Sequence, residues 1–164
     1  MWMKLLQTNA GFGMFWVRLP LAITMIFHGW EKVRNIPGFI ASCDNLGIPP
    51  FFAVLAVCGE FLGGVGVLLG LLSRIAAFGI GCTMVVAALT RHIIPGYGYL
   101  MNWHGALPLG AEGFEFHTLA IGMSLGIMFL GAGKFSVDYA LARHFARARQ
   151  GDRTAAPERV TVHV

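Results

Sequence analysis

Charge is what this sequence has least of. Asp, Glu, Lys and Arg make up 12% of its 164 residues, roughly half the ~25% usual in a soluble domain. Hydrophobic residues reach 56%, and mean hydropathy is +0.67. That balance excludes a disordered chain and argues against a water-soluble globule. Cysteine is scarce too. Cys43, Cys58 and Cys82 are odd in number and lack C-x-x-C spacing, so they form neither a disulfide framework nor a zinc signature. The sequence has no H-E-x-x-H or comparable ligand spacing, no phosphate-binding loop, no dinucleotide fingerprint and no Ser-His-Asp arrangement. No folded basic domain exists to carry nucleic-acid binding.

What is present is apolar and aromatic: thirteen Phe, four Trp, eight Met and 22 Gly. A bilayer core of about 30 Å takes roughly 20 helical residues. The sequence predicts spans at about 12–30, 51–72, 75–94 and 116–135. Pro37-Gly38 and Pro49-Pro50 bracket the first connection, Leu72-Ser73-Arg74 is the second, and Pro95-Gly96 opens a long third. The expected fold is an all-α membrane protein, an up-down-up-down four-helix bundle occupying 1–142. A basic, mobile tail over 143–164 follows it. Lys4, Arg74, Lys134 and five tail arginines lie on one side, against Lys32, Arg34 and Arg91 on the other. The positive-inside rule then places both termini in the cytoplasm, with the tail against anionic lipid headgroups.

Only two charges fall deep in predicted spans, Arg18 and Glu60. A charge at the bilayer centre costs about 2.5–3.5 kcal/mol even on gentle insertion scales, so each needs a partner. By helix rise, Arg18 lies about 9 Å and Glu60 about 16 Å from the inner ends of their spans. A buried Arg18–Glu60 pair is therefore expected. It reads equally as an architectural ion pair or as a functional site in which Glu60 accepts protons or binds a ligand. Gly63 and Gly64 share a small-residue face with Glu60, leaving room for another helix or for a flat ligand. His28 and Lys32 stand at i, i+4 at the outer end of the first span, either as an interfacial belt or as a polar vestibule. The pairs Gly59/Gly63, Gly66/Gly70 and Gly122/Gly126 suit close helix packing. The third connection contributes Tyr97, Tyr99, Asn102, Trp103, His104, Glu112, Glu115 and His117, without a metal-ligand pattern.

These residues resemble the DoxX family of small four-helix membrane proteins. The likeness lies in Arg18, His28-Gly29 and Lys32, then Gly47-Ile48-Pro49 and Glu60-x-x-Gly63-Gly64. It continues through Leu69-Gly70-Leu71-x-x-Arg74-x-Ala76-Ala77 to Gly131-Ala132-Gly133-Lys134-Phe135-Ser136-Val137-Asp138. The third connection and the arginine-rich tail depart from the pattern. The resemblance implies a membrane subunit linked to redox chemistry, similar to the small subunit of a thiosulfate:quinone oxidoreductase. Arg18 and Glu60 are then candidate catalytic residues, and His28, Lys32, Gly63 and Gly64 candidate cofactor-binding residues. The cofactor would be a quinone, and a partner protein would supply electrons. A non-catalytic membrane anchor or assembly subunit is the alternative, and a small transporter or metal-handling protein the third reading. The expected setting is a prokaryotic cytoplasmic membrane, with a protein partner or a homo-oligomer and no nucleic acid.

Overall fold

Six helices account for nearly all of the computed structural model, which describes residues 10–93 and 114–155. They are α1 (Ala10–Arg34), α2 (Ile36–Asp44), α3 (Pro50–Leu69), α4 (Ser73–Ala88), α5 (Glu115–Leu130) and α6 (Val137–Ala155). One π-helical turn, Leu89–Ile93, prolongs α4. By length and composition α1, α3 and α4 with its π turn each suffice to cross a membrane, and α5 is a shorter apolar helix. An apolar helix thus stands at each of the four expected positions, three of them long enough to span. α1 packs on α3, α3 on α4, α4 on α5, and α5 returns to α1. The core contains Met14, Leu21, Met25, Val67, Ile80, Met84 and Ile127. Large apolar side chains such as Phe27, Phe51, Ile75 and Phe129 point outward, where a bilayer solvates them. The end of the bundle holding the α3–α4 turn is termed basal, and the opposite end distal.

Glycine sets how closely the helices approach. A methyl on Gly29 would meet the Phe61 backbone nitrogen at 2.6 Å, and one on Gly64 the Ile26 nitrogen at 2.9 Å. These two contacts fix the antiparallel register of α1 and α3. Gly59 meets Thr83 and Gly79, Gly63 meets Ala76 and Ile80, and Gly66 meets Ala76, all on α4. The expected packing role of these positions is therefore observed. Gly122 and Gly126 on α5 differ, since no atom of the described residues lies within 4 Å of a methyl placed there.

Several boundaries depart from expectation for local reasons. The first connection contains helix α2, started by Asn35, whose side chain accepts from the Gly38 nitrogen at 3.1 Å, with Pro37 in the first turn. Helix α3 stops at Leu69 because Gly70 takes a left-handed conformation, φ 66°. Helix α5 ends at Leu130, before Gly131 and Gly133, both at φ 78°. Its 16 residues reach only about 24 Å. The basic segment from Arg143 is helical through Ala155. Tyr97, Tyr99, Asn102, Trp103, His104 and Glu112 lie outside the described residues.

The close α1–α3 contact has a direct test. Gly29→Ala should destabilise the protein by about 1–3 kcal/mol, because the obstructing atoms are backbone. Gly122→Ala should be neutral or slightly stabilising, through the better helix propensity of Ala. Thermal unfolding in detergent, followed by circular dichroism, reads both.

Candidate functional site

Arg18 and Glu60 are both buried, at 2% and 1% exposure, but they do not meet. The expected Arg18–Glu60 pair is corrected by the register. Gly29 sits opposite Phe61, whereas the Arg18 guanidinium sits against Gly70. The two charges are therefore separated along the axis by about ten residues of α3, about 15 Å. No arginine side chain spans that distance. The expectation had placed the end of α1 level with the end of α3, but α1 runs on past it.

Arg18 instead closes the basal end. Its two terminal nitrogens donate to the carbonyl oxygens of Ala132 at 2.9 Å and Phe135 at 2.8 Å. Both belong to the non-helical segment that follows the short α5. Carbonyls freed by a helix end have no water partner at membrane depth, and a guanidinium supplies one. Asp138 completes the lock. Its carboxylate accepts from the Leu72 nitrogen at 2.8 Å, and from the Ser73 nitrogen at 2.9 Å and hydroxyl at 2.6 Å, capping α4. Its own nitrogen donates to Gly70 at 2.9 Å. Burial pushes the Asp138 carboxyl up, but the Ser73 and Leu72 hydrogen bonds and the nearby Arg18 charge outweigh it and hold the group below its ordinary value. Gly70 must be glycine here: beside its positive φ, a methyl would stand 2.2 Å from Arg18.

Glu60 lies midway along α3, in the distal half of the α1–α3 contact. Its counter-charge is Lys32, whose ammonium pairs with Oε2. The register explains the choice, because Lys32 stands one turn beyond Gly29 and can reach back. Lys32 is 26% exposed, and its ammonium lies 5.0 Å from the centre of the Phe39 ring. Helix α2 thus folds over the pair. Arg91 from the π turn donates to Ser42 at 2.8 Å and ties α2 to α4. Cys43 is buried on α2, where burial pushes its thiol up against the opposing pull of Arg91 and Lys32. The second Glu60 oxygen, Oε1, is buried without a hydrogen-bond partner among the described residues.

The other expected site residues divide. The Gly63 face is filled by Ile80 and Ala76, and the Gly64 face by Ile26 and Ala22. Of the two occupants considered for that face, the structure supplies helices. His28 is exposed, its ring 5.3 Å from Phe116. His92 and His117 approach with ring centres 5.0 Å apart, yet among the described residues no three His, Cys, Asp or Glu side chains converge as a metal site. Asp138, Ser73, Phe39 and Cys43 were not singled out as site residues from sequence. Asp138 carried a signal, closing the Gly131–Asp138 motif, and Ser73 occupied a turn too short to cap itself.

Taken together, bundle and buried charges define a small multi-pass helical membrane protein. The DoxX family matches residues 13–93. An uncharacterized membrane protein of Mycobacterium tuberculosis is 32% identical over 158 residues, 87% of this chain and 89% of that protein. The chain belongs to the DoxX family. Inner membrane protein YqjF of Escherichia coli is 33% identical over 78 residues, 47% of this chain and 60% of that protein. A Bacillus subtilis protein named "Putative oxidoreductase CatD" is 31% identical over 78 residues, 48% of this chain and 58% of that one. The chain thus spans under two thirds of the length of these last two relatives. No solved structure matches. Family and helices together identify a multi-pass inner-membrane protein.

Breaking the Lys32–Glu60 pair separates its members' costs. Lys32→Met alone leaves a buried carboxylate uncompensated and should cost about 3–5 kcal/mol, whereas Lys32→Met with Glu60→Gln should recover most of that loss. A double-mutant cycle of thermal unfolding in detergent measures the coupling.

Proposed function

We propose that this protein is a membrane component of redox chemistry that engages a quinone headgroup at the Lys32–Glu60 pair. One observation carries the reading. Midway along α3, Glu60 keeps one oxygen without a partner among the described residues while its other oxygen holds Lys32. Leaving a buried polar atom unpaired costs free energy, and in lipid it is a mark of function. The residues suit the group. A quinol hydroxyl has an acceptor in Glu60 Oε1, and a quinone carbonyl has a donor in the remaining ammonium protons of Lys32. Phe39 offers an aromatic wall beside them. Quinone reduction takes two electrons and two protons. Glu60 and Lys32 act on the protons, and a partner protein delivers the electrons. The oxidoreductase name of the Bacillus subtilis relative supports a redox setting. Arg18, bonded to carbonyls at the basal end, serves the scaffold in this reading.

A second reading, a membrane anchor or assembly subunit, draws on Gly122 and Gly126. Among the described residues nothing occupies their faces, a pattern that allows another helix to approach. Binding of decylubiquinone to purified protein separates the two. Wild type should gain thermal stability with added quinone, and Glu60→Gln, checked for retained helix content, should lose at least about tenfold in affinity, the order expected for a buried hydrogen bond to a charged group. No stabilisation of wild type, or equal stabilisation of Glu60→Gln, contradicts the quinone reading.

A further inference from the structure

The basal end holds a cavity of about 640 Å³ between the start of α4, the segment after α5 and the start of α6. Two exposed cations, Arg74 and Lys134, stand at its wall. Among the described residues, Arg74 makes one long contact, 3.5 Å, to the Phe129 carbonyl. The Lys134 stem lies over Gly11. Asp138 also lines the cavity, but its carboxylate is spent on Leu72 and Ser73, with the Arg18 charge close by. The lining also carries outward-facing apolar side chains: Leu72 is 62% exposed, Ile75 69% and Leu130 66%. Helix α6 leaves this cavity with Val137, Leu141 and Phe145 along one side, and all three are exposed. Arg143 packs on Tyr139, another lining residue, at 5.8 Å and extends the basic rim.

We infer that this cavity binds the phosphate of an anionic phospholipid, held by Arg74 and Lys134, with acyl chains running along Leu72, Ile75 and Leu130. This mixed lining is what selects a lipid. A soluble phosphate ester needs the cations only, whereas a phospholipid needs cations and hydrocarbon surface within one headgroup's span. Basic pockets between membrane helices are suited to such headgroups. The apolar side of α6 then lies in the same interface, with Arg143, Arg147 and Arg149 at headgroup level. The site lies at the opposite end of the bundle from Lys32–Glu60 and is independent of the quinone reading.

Native mass spectrometry of the full chain in detergent, titrated with phosphatidylglycerol or phosphatidylcholine, tests the assignment. Phosphatidylglycerol should bind at least about tenfold more tightly, and the double substitution Arg74→Gln with Lys134→Gln should remove that preference, the order expected for two cations at a lipid surface. Arg147→Gln with Arg149→Gln, outside the cavity, should keep most of it. Glycerol 3-phosphate should compete poorly. Equal binding of the two lipids by wild type overturns the proposal, and that result depends on no variant folding. So does full competition by glycerol 3-phosphate, an unchanged preference in the Arg74/Lys134 variant, or an equal loss in the Arg147/Arg149 variant.

Discussion

A charge placed among membrane helices has to find its partner inside the protein, and this constraint organises the fold. Lipid offers neither hydrogen bonds nor dielectric screening. Arg18 resolves the problem with backbone carbonyls, and Glu60 resolves half of it with Lys32. Each solution also builds architecture. Arg18 fixes the segment after α5 against α1 and the α3–α4 turn. Lys32 draws the distal end of α1 beneath α2. The helices could not carry these charges without the close approaches at Gly29 and Gly64, which set the register that decides who meets whom.

The two ends differ in the kind of group left without a partner among the described residues, a guanidinium nitrogen at one and a carboxylate oxygen at the other. At the basal end, Asp138 accepts three hydrogen bonds and the guanidinium donates two. That is the arrangement of a structural lock, although the guanidinium Nε is buried without a hydrogen-bond partner among the described residues. At the distal end one carboxylate oxygen remains buried and unpaired. The functional proposal therefore rests on the distal pair alone.

Much of this was legible in the sequence. Spans came from apolar length, and the importance of Arg18 and Glu60 from the cost of burying charge. Packing at Gly59, Gly63 and Gly66 followed from spacing. Partner choice was not legible, because it depends on helix register, and register is set by tertiary contacts such as Gly29 against Phe61 that spacing within one helix does not reveal. Helix α2 was hidden by Pro37 and Gly38, read as loop punctuation, although Asn35 and Pro37 also form a helix start. The motif ending in Asp138 was visible as a family resemblance, but its physical role emerged only when Gly70, Ser73 and Arg18 were found around it.

The central claim is that the Lys32–Glu60 pair, rather than the basal end, receives a quinone headgroup. Photolabelling purified protein with an azidoquinone, followed by peptide mass spectrometry, locates the contact directly. Adducts should concentrate on the segment from Lys32 to Cys43, be displaced by unlabelled quinone, and disappear in Glu60→Gln. Adducts at the basal end, or labelling scattered over lipid-facing residues and insensitive to competition, would contradict it.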